Sequence, residues 1–318
     1  MEIKNLIFKI LLLFAICYLL FAIGNANAQE LSVSLDPPIL QIEASPPSLI
    51  KNPISIINQA DQSVTYSIFL LPFKAKSSNN GEIEFDSSQI SEYKNIFDNV
   101  KISDENKSIT QITLAPKQKK DLILSIRIPE NEPARDYYFS VIFISEAGKV
   151  RDQNSLVGTR GGIGTNVLLS IGPKSPTQGR IEEFSAPIFV TRGPVRFRLN
   201  VVNQSKHYIS PEGNILIKNI FGQTVGNINL PSTNILENSG RFIGSEDNLS
   251  STEPRLVWNE KFLLGIYKAD LTLALSSDGP IINKSIRFFA FPLEAALGIV
   301  LTLVLLIGMV KRAKSKSS

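Results

Sequence analysis

Val195-Arg196-Phe197-Arg198-Leu199-Asn200-Val201 places an apolar side chain at every odd position and a polar one at every even position. Only an extended chain, whose side chains alternate with a period of two, turns that order into one apolar face and one wet face. The same alternation recurs upstream, where Val64, Tyr66, Ile68 and Leu70 are interleaved with Thr65, Ser67 and Phe69. It recurs downstream in Tyr267, Ala269, Leu271, Leu273 and Leu275, interleaved with Lys268, Asp270, Thr272 and Ala274. Turn-forming residues separate the runs: Asn58 to Asp61, Asn79 to Gly81, Pro211 to Gly213, Phe221 to Gln223 and Ser277 to Gly279. Many short strands divided by such turns predict an all-β body of antiparallel β-sandwiches. One stretch departs from the pattern. Ile90, Tyr93, Phe97 and Val100 recur at helical spacing, so residues 88–100 are expected to form a short helix or an ordered loop.

Working outward, a boundary falls at Gly172 to Gly179, a Pro/Gly/Ser-rich stretch with no apolar member, just after a plausible closing strand at Asn166 to Ile171. The expected division is a sandwich over residues 29–172, a linker over 173–179 and a second sandwich over 180–287. Each is long enough to bury a core of its own. The only cysteine of the 318 residues is Cys17, so neither sandwich has a disulfide to rest on.

The two ends predict the topology. Residues 1–28 have the parts of a secretory signal peptide: Lys4 and Lys9, then the apolar run Ile10 to Ile23, then Ala26-Asn27-Ala28, with cleavage expected after Ala28. At the other end, residues 288–310 run from Phe288 to Val310 with Glu294 as their only charge. As a helix that run would reach about 34 Å, enough to cross a bilayer. Lys311, Arg312, Lys314 and Lys316 follow at once as a stop-transfer signal, which puts the basic tail 311–318 in the cytoplasm by the positive-inside rule. The expected product is a single-pass type I cell-membrane protein with its bulk outside. The net charge of +4 comes from that tail, and the body between the ends is close to neutral. A neutral body has no general attraction for a phosphate backbone, which argues against nucleic acid as a partner.

Candidate chemistry is sparse. Gly158 to Gly164 is glycine-rich but lacks both the Gly-Lys-Ser/Thr ending of a phosphate loop and the glycine spacing of a dinucleotide site, and it reads as a loop or bulge before a strand. His207, the only histidine, sits between two strands and reads as a solvated turn residue, with no second histidine for a metal or a catalytic triad. The pairs Asp104-Glu105 and Glu246-Asp247 lack calcium-loop spacing. Leu230 to Asn234 ends in Asn, and lies too far before the apolar run, for a sorting signal. No catalytic, cofactor-binding or metal-binding residue is assigned, and the chain reads as a non-enzyme.

Longer stretches carry a family resemblance. Ile54 to Asn58 with Val64 to Ile68, Leu114 to Pro129 and Arg135 to Ile142 resemble the N-terminal immunoglobulin-like domain of the WxL-interacting protein family of bacterial surfaces. Phe197 to His207, Pro211 to Gly213, Ile215 to Ile217, Gly222, Asn234 to Leu236, Arg241, Trp258 and Gly265 to Tyr267 resemble the second sandwich of such proteins. Leu236-Glu237 replaces the usual Leu-Pro turn there. The resemblance implies two tandem immunoglobulin-like domains on a C-terminal anchor, binding peptidoglycan or partner surface proteins. The expected function is therefore extracytoplasmic binding or adhesion, with cell-wall polymer or an envelope protein as ligand and the lipid bilayer reached through 288–310. The alternative is an envelope assembly or chaperone-like role, in which an exposed sheet edge pairs with a partner's strand. A long edge strand free of Pro and Lys would favour it.

Overall fold

The computed structural model describes residues 33–145, 161–244 and 255–316. Alternation becomes strand wherever it was read. In chain order the first sandwich has β1 (Val33–Asp36), β2 (Ile39–Ala44), β3 (Ser48–Asn58), β4 (Val64–Ala75), β5 (Ile83–Phe85), α1 (Lys94–Asp98), β6 (Val100–Asp104), β7 (Lys107–Ser108), β8 (Gln111–Leu114), β9 (Lys119–Ile128), β10 (Arg135–Ser145) and β11 (Gly162–Ile171). One sheet has the order β1-β3-β9-β6-β7 and the facing sheet the order β2-β11-β10-β4-β5, with β8 also on β4. β1 and β2 belong to opposite sheets. Pro37 and Pro38 lie between them, and residues without an N–H cannot continue a ladder.

The second sandwich has β12 (Gly179–Ser185), β13 (Phe189–Val190), β14 (Val195–Asn203), β15 (Glu212–Lys218), β16 (Thr224–Asn229), β17 (Gly240–Phe242), β18 (Leu256–Trp258), β19 (Gly265–Ala274) and β20 (Ile281–Ala290). Its sheets are β12-β14-β17, with β18 on β14, and β13-β20-β19-β15-β16. A helix, α2 (Leu293–Lys316), follows β20.

Each core is the sum of the inward positions. Ile54, Ile56, Leu122, Leu124 and Ile126 meet Phe139, Val141, Phe143, Val167 and Leu169, all fully buried. In the second sandwich Phe197, Leu199 and Val201 pack with Ile215, Ile217, Ala269 and Leu273. A buried asparagine repeats at the end of one core strand in each. The Nδ2 of Asn58 lies 2.8 to 3.2 Å from the carbonyl oxygens of Gln62, Leu114 and Ala115, and its Oδ1 accepts from the Ala60 N–H at 3.1 Å. The Nδ2 of Asn203 lies 2.8 to 3.0 Å from those of His207, Ile235 and Leu236, and its Oδ1 accepts from the Ser205 N–H at 2.8 Å.

Several expected boundaries shift. β20 runs to Ala290, with Phe288 and Ala290 in the core, so the helix starts at Leu293 and not at Phe288. The reason is that Ile286, Phe288 and Ala290 continue the inward alternation, and Pro292 then ends the ladder. Gly179 is the first residue of β12 rather than the last of a linker. Residues 88–100 hold a short 3₁₀ turn at Ser87–Ile90 and then α1, with Tyr93, Ile96 and Val100 buried and Ile90 exposed. The signal segment with Ala28 and the pair Glu246-Asp247 lie outside the described residues.

Lys311, Arg312, Lys314 and Lys316 fall in the last turns of α2, where the backbone alone is described. Side chains at 295, 301 and 308–316 of this helix are likewise not described, and among the described residues no helix is long and apolar enough to cross a membrane.

Candidate functional site

The sheet β2-β11-β10-β4-β5 has one face in the core and one face outward, and the outward face is unusually apolar. Strand register sorts its side chains into rows. Ile144 stands between Ser67 and Gly162, Ile142 between Phe69 and Gly164, and Ser140 between Leu71 and Asn166. Tyr138 and Leu168 come next, with Phe73 of β4 alongside. Asp136 and Ser170 form the last row.

The second sandwich covers the far end of this face. Phe73, Tyr138 and Leu168 pack with Tyr208, and Leu236 and Ile83 border the cluster. Asp136, 5% exposed, sits at the centre of the junction. Its Oδ2 accepts from the backbone N–H of Tyr208 at 2.7 Å and from the Tyr138 hydroxyl at 2.8 Å, and its Oδ1 accepts from the Ser170 hydroxyl at 2.5 Å. Burial, reinforced by the Asp136 carboxylate, drives the Tyr138 phenol far above its ordinary pKa. A second bridge lies nearby, where Asn79 in the β4–β5 hairpin accepts from the Phe242 N–H at 2.7 Å.

The near end of the face is open. Phe69, Leu71, Phe85, Ile142, Ile144 and the bare backbone of Gly162 and Gly164 line a groove of about 720 Å³. Phe69 and Phe85 are each about half exposed. The glycines keep the groove deep, because a Cβ on Gly164 would already stand 3.3 Å from Ile142 Cγ1. Alongside runs an incomplete edge: β2 pairs with Asn166–Ile171 only, leaving Gly162–Thr165 of β11 without a strand on that side among the described residues. That short edge contains neither Pro nor Lys.

Between the sandwiches a smaller cavity of about 110 Å³ is walled by Phe73, Ile83, Leu168 and Leu236, with Arg241 at one side. The guanidinium donates from Nη1 to the Asn234 carbonyl at 2.8 Å and pairs with no carboxylate among the described residues. Burial pulls its pKa down. Gly81, in the left-handed region at φ 87°, lets the guanidinium pass, since a Cβ there would lie 2.5 Å from its Cζ.

The residues singled out from the sequence lie elsewhere or differ in role. His207 is not a solvated turn residue: it is 4% exposed, with its ring 3.5 Å from the Ser175 hydroxyl and 3.3 Å from that of Thr177. The Gly172–Gly179 connection folds over it and Asn203 holds its carbonyl, which removes it from water. Gly162 and Gly164 are strand residues, while Gly158 to Arg160 lie outside the described residues. Asp104 pairs with Lys120 at 2.9 Å. Among the described residues no three His, Cys, Asp or Glu side chains converge on one point.

No family model and no curated protein matches the chain. Solved structures with a loose likeness include the YadV chaperone (10% identity over 81% of this chain and all of that one, TM-score 0.33). They include the E. coli chaperone DraB (12%, 80% and 95%, TM-score 0.36). A third is the Salmonella enterica SafA pilin in complex with the SafB chaperone (10%, 80% and 96%, TM-score 0.36). Likeness this loose decides nothing about activity or partner. The groove itself was missed from the sequence, although a signal existed: Phe69 stood among the polar positions of its strand, and Ile142 and Ile144 made β10 apolar on both faces.

Proposed function

We propose that this chain is an extracytoplasmic, membrane-anchored binding protein that holds an extended apolar segment of a partner polypeptide, in the manner of an assembly factor or chaperone. The observation that carries the reading is the open half of the outward face. Its other half is already the contact surface for the second sandwich, so the groove continues an existing interface. A polypeptide strand fits it on two counts. Its backbone pairs with the edge Gly162–Thr165, which has no strand beside it among the described residues, and its alternate side chains enter the space between Phe69, Ile142 and the glycines. The lining is mostly apolar, with the hydroxyls of Ser67 and Ser145 at its side, which favours an apolar segment over a hydroxyl-rich polymer. Anchoring rests on the α2 sequence: the apolar stretch 293–310 reaches about 27 Å as a helix, close to the roughly 30 Å of a hydrocarbon core, and basic residues follow it at 311, 312, 314 and 316.

The test uses the full chain in lipid nanodiscs and two synthetic peptides of one composition, with alternating or scrambled apolar residues. The alternating peptide is expected to bind and to slow amide exchange at Gly162–Thr165. The double variant Phe69→Asp/Phe85→Asp is expected to weaken binding at least about tenfold, since both side chains lose their apolar contact. Equal affinity for both peptides, or binding indifferent to the double variant, would sink the reading.

A further inference from the structure

A second apolar surface lies at the opposite end of the molecule, where α2 leaves the second sandwich. Two residues, Phe291 and Pro292, separate β20 from the helix. Around that exit, Ile188 is 83% exposed and Phe262 is 62% exposed, and Phe189, Leu264, Ile266 and Phe289 are each between 41% and 57% exposed.

Phe189, Ile266 and Phe289 form one patch, and Ile188, Phe262 and Leu264 flank it along the chain. Phe289 pairs across the ladder with Ile266 on one side and with Phe189 on the other, and the Phe189 and Phe289 rings stand 5.7 Å apart. Ile188 accepts the Phe289 N–H at 2.8 Å, and Val190 accepts that of Phe291 at 2.9 Å. Phe262 and Leu264 immediately precede Gly265, which pairs with Ala290 at the end of β20. One row further from the helix the same outward face carries two cations, where Lys268 stands opposite Arg287, and Asp270 in the next row pairs with Lys268 at 2.7 Å. Arg192 lies at the exit too, with Nη1 3.5 Å from Glu294 of α2.

We propose that this end of the second sandwich is seated in the bilayer, with the six apolar side chains in the boundary between headgroups and acyl chains and Lys268 and Arg287 at the level of the lipid phosphates. Six exposed apolar side chains together are rare on a surface that faces only water. The order apolar, then cationic, along a line leading away from an apolar helix is the order in which a bilayer presents tails and then phosphates. The continuity of the patch with α2 names the occupant: a helix inserted in the membrane holds these residues at the membrane surface. The inference rests on the reading of α2 as the anchor.

The experiment keeps the two separable. In a Cys17→Ser background, single cysteines replace Phe189, Phe262 or, in the turn beyond the far end of β19, Asp278, and each carries an environment-sensitive fluorophore. The full chain is reconstituted in vesicles and floated on a density gradient. Labels at 189 and 262 are expected to be quenched by nitroxide lipids and to be at least about fivefold less accessible to aqueous iodide than the label at 278, as burial to the headgroup–acyl boundary requires. A chain that floats while all three labels meet iodide equally overturns the seating and leaves the anchor standing. A chain that fails to float overturns both. Exclusion of iodide without nitroxide quenching assigns the patch to a second copy of the chain and overturns the bilayer assignment.

Discussion

At the scale of single residues, the two buried asparagines hold each sandwich closed. Asn58 and Asn203 are both fully buried, and each binds the turn four residues ahead together with a segment far along the chain. Truncating either strips partners from several buried carbonyls at once, and a buried polar group left unpaired costs about 1–3 kcal/mol. Asn58→Ala and Asn203→Ala are each expected to lower unfolding stability by about 2–3 kcal/mol in denaturant titrations, with the aspartates no better because they cannot donate. His207 gives a pH signature. Burial lowers its pKa, and the Lys174 ammonium adds to that while Asp136 and Glu43 oppose it. With the folded value below the unfolded value of about 6.5, the unfolded chain binds more protons in the interval between them. The stabilisation is complete above pH 6.5 and is lost as pH falls through the folded value. Replacing His207 with Gln is expected to flatten the slope of stability between pH 7 and pH 5; an unchanged slope would place the titrating group elsewhere.

At the scale of elements, legibility followed the strength of the alternation. Val195 to Val201 and Tyr267 to Leu275 each put every second residue in the core, and the asparagine closing Ile54 to Asn58 was visible in the sequence as the residue at the turn. What escaped was any element whose pattern was carried by a neighbour. β20 reads as apolar on both faces near its end because its inward residues fill the core while Phe289 turns outward, so the sequence merged it with the helix beyond. β11 hid its first turn of pairing behind glycines, whose place is set by Ile142 and Ile144 on the strand beside it. His207 looked wet because nothing local shows that a distant connection will fold over it. The groove was illegible for the same reason. It is a property of three strands in register, and a one-dimensional pattern assigns each residue to a face without saying what covers that face.

At the scale of the whole molecule, one carboxylate joins the two halves. Asp136 belongs to the first sandwich and holds the Tyr208 N–H of the second, with Tyr138 and Ser170 orienting it and the Phe73, Tyr138, Leu168 and Tyr208 cluster packed around it. Removing it leaves buried donors on both sides of the junction without an acceptor. Asp136→Ala is expected to split a joint thermal transition into two, read by calorimetry, and to broaden the distance distribution between labels on the two sandwiches. A single transition at the original midpoint would show that the packed aromatic cluster and the Asn79–Phe242 bridge hold the halves together without the carboxylate.

The two-residue passage from β20 to α2 has a mechanical consequence. A tug along the helix axis is delivered straight into β20, whose ten residues are all laddered to β19. A pull directed along the strand loads those ten rungs together in shear, whereas a pull across it would open them one at a time. Force applied through α2 in line with β20 would meet the strongest direction of the sheet.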